Sequence, residues 1–432
     1  MSNVNEIKDK LQQKALESHR KYKGFSTLAM CTGSGKSRCG VLRAAEIVKH
    51  NPNAKILLAC FTTDQRDNVW RKEFEEWGYS DIYENNVVER VCYISLSTII
   101  DKEFDLVIAD EIHHLTETSI TFFESNRFKS ILGLTATPPV DKVKKAILNT
   151  VAPISFEYKV EDGIKDKVVA PYELHIVYTK LEDRLKTVTG GTKAKPFKQT
   201  ELSAYAYWDQ AFKDRSDEYN TFVSENLWHL GWSNLVEYRN EAKMEQNKVE
   251  IAKHLKREAA LNGRKMMAMS KRTQLIQNSY NKTRIAKRLV DEFCEDKFRY
   301  LFFAGSIKQS DLILPNNTYN SKSNSDAYER FMNLEDNKLI AVKGLNEGTN
   351  IADLDFGIII QLNSKELDVI QRIGRVIRMR PNHVGKIIIL CVEGTRDYDW
   401  LKSALRNMKF IPTHEYTEDE FFEKVKQKEL EF

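Results

Sequence analysis

Residues 26–37 read STLAMCTGSGKS: a short strand-forming run ends at Met30 and opens, through Cys31, into Thr32-Gly33-Ser34-Gly35-Lys36-Ser37, with a helix expected to begin near Ser37. Strand, glycine-rich turn and helix N-terminus together form an anion site, because backbone N–H groups converge on one point and the helix dipole favours negative charge there. In that arrangement Lys36 reaches the β and γ phosphates of a nucleotide, and the Ser37 hydroxyl binds Mg²⁺. The strict form of this pattern has Gly at position 30, where this chain carries Met. The G-x-G-K-S core is intact.

Downstream, FDLVIADE (104–111) is an apolar strand that ends on two acids, Asp110 and Glu111. Adjacent carboxylates at the carboxyl edge of a parallel sheet lie beside the phosphate loop. There Asp110 would hold Mg²⁺ through its water shell, and Glu111 would orient or deprotonate a water attacking the γ-phosphate. KILLACF, VCYIS and SILGLTAT also read as buried strands between about residues 25 and 155. Strands alternating with helical stretches predict a parallel α/β sheet. RYLFFAGS, KLIAVKG, FGIIIQLN and GKIIILCVEG repeat the pattern between Arg299 and Gly394, which predicts a second domain of the same type.

Between the two lie residues 180–298, without such apolar runs and with a largely helical composition. TVTGGTKAK (187–195), followed by Pro196, is expected to be a mobile loop. From Lys243 to Arg288 there are 13 Lys and Arg against 3 acids, an excess larger than the net charge of +4 for the whole chain, so the remainder is acidic on balance. Such a run is either a solvated helix face or a track for phosphates. Tyr205, Tyr207, Trp208, Phe212, Tyr219, Trp228, Trp232 and Tyr238 are either stacking surfaces for bases or the core of a helical module.

At 432 residues the chain exceeds one ordinary hydrophobic core, and two or three domains are expected. Its longest apolar runs, such as Ile56–Ala59 and Gly357–Ile360, fall far below the roughly 20 residues of a membrane span. The polar N-terminus has no secretory apolar region, so a cytoplasmic location is expected, the host cytoplasm if the source is viral. The cysteines at 31, 39, 60, 92, 294 and 391 include no C-x-x-C pair, and reduced, mostly buried thiols are expected.

These residues resemble the motifs of superfamily 2 helicases of the DExH type. TGSGKS is similar to motif I, Asp110-Glu111-Ile112-His113 to motif II, and Thr135-Ala136-Thr137-Pro138 to motif III. Phe302-Phe303-Ala304-Gly305-Ser306 is similar to motif IV, the stretch Gly344 to Ile351 to motif V, and Gln371-Arg372-Ile373-Gly374-Arg375-Val376-Ile377-Arg378 to motif VI. All six occur in family order. The resemblance implies two RecA-like domains of the P-loop NTPase type, with a helical insertion between them or within the second. The expected boundaries are 1–158 for the first domain, 159–179 for a linker and first strand of the second, 180–298 for the insertion and 299–432 for the rest.

The resemblance further implies ATP and Mg²⁺ as cofactors. Arg375 and Arg378 would act as arginine fingers, Gln371 as a phosphate sensor, Gly348 as a backbone contact and Gln12 as a reader of adenine. Thr135 and Thr137, with His113, would couple hydrolysis to domain movement. Thr62, Thr63, Ser97, Thr98, Ser306 and Thr349 match positions that touch the nucleic-acid backbone. At 350 this chain has Asn where many relatives have an acid, which puts direct charge coupling there in doubt. CFTTDQRDNVWRKEF and DEIHH look most like restriction-enzyme motor subunits and compact phage-type helicases that remodel branched DNA. A monomeric DNA helicase or translocase working on duplex or branched DNA, by branch migration for example, is therefore the first expectation. An RNA helicase of the DExH type and an ATPase clamp that translocates without unwinding are the alternatives.

Overall fold

The computed structural model describes residues 2–139, 141–192, 194–226, 249–320, 326–342, 354–362, 384–406, 408 and 410–427. Its first sheet contains β1 (Phe25–Met30), β2 (Ile56–Cys60), β3 (Val87–Cys92), β5 (Leu106–Asp110), β7 (Ile131–Thr135) and β8 (Ile154–Tyr158), and the small pair β4 (Glu103–Phe104) and β6 (Arg127–Phe128) stands apart. Strand order is β3-β2-β5-β7-β1-β8, and every pairing is parallel. The composition of these strands explains the arrangement. Leu106 and Ile108 enter one core while Val107 and Ala109 enter the other, so both faces of β5 must be covered. Helices Ser2–Lys21 and Lys36–His50 supply Ala15, Leu16, Val41 and Ala44 on one side, and Phe122, Ile147 and Leu148 come from helices on the other.

The second sheet joins β9 (Tyr172–Thr179), β12 (Tyr300–Phe303), β13 (Thr318–Tyr319), β14 (Lys338–Ala341), β15 (Phe356–Ile359), β16 (Gly385–Val392) and β17 (Thr413–Thr417) in the order β13-β14-β12-β15-β16-β9-β17. Its pairings are again parallel. The chain is thus an α/β protein with two parallel-sheet domains of RecA-like type. Because β9 lies between β16 and β17, the helices that follow it are inserted within the second domain.

The inserted segment is more varied than its composition suggests. TVTGGTKAK, read from sequence as a mobile loop, belongs to an antiparallel hairpin of β10 (Val188–Gly191) and β11 (Pro196–Gln199). Gly191 closes it at φ +83°, a conformation glycine adopts without strain. Helices Glu201–Asn226 and Val249–Gln277 then pack on each other, with Tyr219 Oη donating to Glu258 Oε1 at 2.9 Å in their buried seam. Helix Tyr280–Glu292 leaves this pair and buries Ile285, Ala286 and Leu289 in the core of the second sheet, so it is a layer of that domain.

All six cysteines are free; five are buried and Cys294 is half-buried. Burial pushes the Cys31 thiol up to about 11 and the Cys39 thiol up to about 12, which keeps both protonated beside the phosphate loop. Among the described residues no helix is long and apolar enough to cross a membrane.

Candidate functional site

Parallel strands deliver their following loops to one edge of the sheet. At the first sheet these are the glycine turn after β1, Phe61-Thr62-Thr63 after β2, Tyr93–Thr98 after β3, Asp110-Glu111 at the end of β5 and Thr135 at the end of β7. Since β7 lies between β1 and β5, Thr135 falls between the phosphate loop and the two acids.

Gly33 and Gly35 have φ of +83° and +87°. A Cβ at Gly33 would meet nothing within 4 Å, so the backbone there is open to a phosphate. A Cβ at Gly35 would come within 2.1 Å of Gln12 Nε2. Gln12 is buried and donates from that atom to the Ser34 carbonyl at 3.2 Å, which fixes the helix Ser2–Lys21 against the loop. Its Oε1 has no hydrogen-bond partner. The neighbouring Gln13 is exposed. Ser34 is itself buried and bonds the Cys31 carbonyl at 2.6 Å, while Thr32, Lys36 and Ser37 are half-buried. Lys36 opens the helix Lys36–His50 and places Nζ 4.0 Å from Glu111 Oε1.

Glu111 adopts φ 50° and ψ 50°, a left-handed conformation uncommon for a residue with a side chain. Its Oε2 lies 3.4 Å from His113 Nδ1, which is also 2.8 Å from Thr135 Oγ1. The Thr135 hydroxyl donates its single proton to the Thr137 carbonyl at 3.1 Å and accepts from Thr137 N–H at 3.0 Å. His113 Nδ1 is therefore the donor towards Thr135. Motif II and motif III residues are tied through one imidazole.

Two aromatic contacts that sequence reasoning missed complete the site. Trp70 Nε1 donates to Asp110 Oδ2 at 3.0 Å, and Tyr93 Oη donates to the Asp110 carbonyl at 2.8 Å. Trp70 reaches that place because Gly40 makes room for it; a Cβ on Gly40 would stand 2.7 Å from the indole. Phe61 stacks on His114 with centroids 3.5 Å apart and rings 7° from parallel, and His114 lies 4.2 Å from His113. A continuous set of rings thus runs from the loop after β2 to the histidine beside Glu111.

The candidate backbone contacts are less uniform. Thr62 Oγ1 accepts from Gln65 N–H, and Thr98 Oγ1 donates to the Ser95 carbonyl, so both hydroxyls close their own turns. Thr63 is exposed and Ser97 half-buried. Ser306 caps the helix Ile307–Ile313 and bonds Asn278 from the insertion. Gly348, Thr349, Asn350, Gln371, Arg375 and Arg378 lie outside the described residues.

The basic run from Lys243 to Arg288 is neutralised at six positions where it is described. Arg272 is buried on Asp209 at 2.6 Å, Lys282 is fully buried on Asp397 at 2.5 Å, and Arg284 makes a two-pronged bond to Glu418. Arg264, Lys287 and Arg288 pair with Glu218, Asp291 and Glu292. Arg264, Arg272, Lys282 and Arg284 fasten one element to another, whereas Lys287 and Arg288 pair within their own helix, so the described run is interrupted as a track for phosphates. Of the insertion's aromatic residues, Tyr205 and Tyr219 are buried helix-packing residues while Tyr207 is 58% exposed; Trp228, Trp232 and Tyr238 lie outside the described residues.

Two family models match the chain: that of the type III restriction enzyme res subunit over residues 2–140, and the helicase conserved C-terminal domain over residues 248–380. The chain is 25% identical over 305 residues to the DNA 3′-5′ translocase XPB2 of Sulfurisphaera tokodaii, covering 68% of this chain and 60% of that protein. It is 25% identical over 366 residues to a protein of Methanocaldococcus jannaschii provisionally named ATP-dependent RNA helicase MJ1505, covering 71% of this chain and 45% of that one. The chain thus spans about half the length of these curated relatives. In fold it is similar to the ATP-dependent type ISP restriction-modification enzyme LlaBIII bound to DNA, with a TM-score of 0.53 and 13% identity over 94% of this chain and 31% of that one.

Proposed function

From the premise that this chain belongs to the superfamily 2 helicases, we propose that it hydrolyses ATP to move along DNA and remodels or unwinds duplex or branched forms. The general activity, ATP-dependent work on nucleic acid, follows from the family. The observation that carries the hydrolytic assignment is the convergence of Lys36, Glu111, His113 and Thr135 at one edge of the first sheet, with the ammonium 4.0 Å from the Glu111 carboxylate.

The residues present fit Mg-ATP. Gly33 leaves its backbone open, and the buried Gln12 amide stands against the loop where it would meet an adenine. Among the described residues no three His, Cys, Asp or Glu side chains gather into a metal cage. Ser37 and Asp110 would hold the cation together with the phosphates, the usual manner for Mg²⁺ in nucleotide sites. The cation so held would supply charge neutralisation for the phosphates. Lys36 binds phosphate oxygens, Glu111 orients the attacking water and takes its proton, and Trp70 fixes the rotamer of Asp110. Arg375, Arg378, Gln371 and Gly348 are assigned to the same site, and Thr349 to the nucleic acid, from motifs V and VI.

DNA is preferred because the restriction-enzyme model matches the first domain and a translocase named for DNA is a relative over 68% of the chain. The test is ATP turnover by the full chain with single-stranded, duplex and forked DNA and with RNA of equal length. Stimulation greatest with duplex or forked DNA is expected. Stimulation by RNA alone would transfer the assignment to RNA, and strand separation absent on every fork would leave a translocating clamp.

Phe61 and His114 are assigned to the coupling of nucleic acid to Glu111. Phe61→Ala is expected to lower the ratio of stimulated to unstimulated turnover by about 10-fold, within the roughly 5–150-fold of typical coupling energies. Phe61→Tyr should preserve the stack and the ratio. If alanine lowers both rates equally, the stack is only a support for the motif II loop.

A further inference from the structure

Away from the ATP site, β10, β11, the helical pair of the insertion and the helix Ile307–Ile313 enclose an open cleft of about 930 Å³. Its lining combines three side-chain chemistries. Phe197, Tyr207, Trp208 and Tyr280 supply rings, Lys271 and Lys308 supply cations, and Gln199, Gln274 and Asn278 supply amides. Phe197, Tyr207 and Tyr280 are 54%, 58% and 40% exposed, and it is their gathering on one cleft, not the exposure of any single ring, that marks an interaction surface.

These rings are exposed without being loose. Phe197 pairs across the hairpin with Gly190, and a Cβ there would come 2.8 Å from Phe197 Cζ, so the ring lies over the glycine as a fixed platform. Tyr207 sets its ring edge-on to Trp208, with centroids 5.0 Å apart. Among the described residues of the lining, Glu201 is the sole carboxylate, and it is turned inward. It is buried, and it accepts from Tyr280 N–H at 2.8 Å, Glu182 N–H at 3.2 Å and the Ser279 hydroxyl at 3.4 Å. The cleft therefore offers rings and positive charge with no outward carboxylate.

The cleft is also continuous with the motif IV loop. Ser306 bonds Asn278, Gln309 accepts from Gly305 N–H at 2.8 Å and donates to Thr283 at 3.0 Å, and a Cβ at Gly305 would stand 2.8 Å from the Gln277 carbonyl. The loop assigned above to the nucleic-acid backbone is thereby packed directly on the end of the insertion helix.

We propose that this cleft takes an unpaired stretch of the nucleic-acid substrate, with bases stacked on Phe197, Tyr207 and Tyr280 and phosphates on Lys271 and Lys308. Rings among cations suit single strands of any sequence, because every base has a π-face and every nucleotide a charge. A closed duplex keeps its bases stacked on one another and has no use for such platforms. The inference rests on the motor reading and adds to it the place where an opened strand is held.

The test compares the full-length protein on a forked DNA with single-stranded arms and on a blunt duplex, by fluorescence anisotropy. Phe197→Ala/Tyr207→Ala is expected to lower fork affinity by about 10-fold or more and blunt-duplex affinity by less than about 3-fold. Phe197→Trp/Tyr207→Phe should keep the wild-type ratio, since stacking survives. Lys271→Ala/Lys308→Ala should flatten the log–log salt dependence for a single strand by about 1.4, two phosphate contacts at ~0.7 each. Fork and duplex affinities falling together, or neither falling, would overturn the proposal. Wild-type ATP turnover separates the two readings: no stimulation by any nucleic acid removes the motor reading, whereas stimulation with an unchanged fork-to-duplex ratio removes only the cleft.

Discussion

Glu111→Gln is expected to lower kcat for ATP by about 10²–10⁴-fold, the contribution of a positioned general base. The amide keeps the size and one hydrogen-bonding oxygen of the carboxylate but cannot take a proton from water. Lys36, Ser37 and Asp110 remain, so Mg-ATP affinity should change little, and the enzyme should accumulate in its ATP-bound form on nucleic acid. Lys36→Ala should behave differently, because the ammonium holds the phosphates in the ground state as well, and ATP affinity should fall with kcat. Steady-state kinetics with a fluorescent nucleotide titration distinguishes the two. Wild-type turnover by the glutamine variant would remove Glu111 from the reaction, and loss of ATP binding in it would make the 4.0 Å approach to Lys36 a structural pair.

Much of the first domain was legible because its signals are local. Ile56–Cys60, Leu106–Asp110 and Ile131–Thr135 are short apolar runs of the kind a sheet covered on both faces contains, and all three are buried throughout. The glycine turn and paired acids are likewise contiguous in sequence. What was not legible depends on distant partners. β9 is separated from β12 by the whole insertion, and nothing in its own residues says that it pairs with β16. Thr187–Lys195 has the glycine and lysine content of a loop, yet four of its residues, Val188–Gly191, pair with residues 196–199 as one strand of a hairpin. The basic run was countable, but Arg284 finds Glu418 134 positions away and Arg272 finds Asp209 63 positions away. Charge density identified cations without identifying their counterions. Trp70 and Phe61 had no periodicity to mark them; their roles come from the packing that sets one ring on Asp110 and the other on His114.

Arg375→Ala and Arg378→Ala are each expected to lower kcat by about 10³–10⁵-fold, the range for an arginine that meets charge developing on a transferred phosphoryl group. The two residues lie three positions apart in QRIGRVIR, so a helical segment would present both from one face. On the proposed assignment the first domain would bring one cation, Lys36, and two carboxylates, Asp110 and Glu111, to the phosphates, adding negative charge where more of it must be stabilised. Guanidinium groups from the second domain would offset that balance, and would do so only when the two domains close on ATP. The effect should therefore fall on kcat and leave ATP affinity within a few-fold, because the interaction strengthens as charge moves to the γ-phosphate oxygens. Lysine in place of either arginine should restore little, since a point charge cannot reproduce two directed N–H bonds. The measurement is kcat and nucleotide affinity for both single variants and the double. A double variant no slower than either single would show that the pair acts as one unit, whereas weakened ATP binding with unchanged kcat would reassign both residues to holding the ground-state nucleotide.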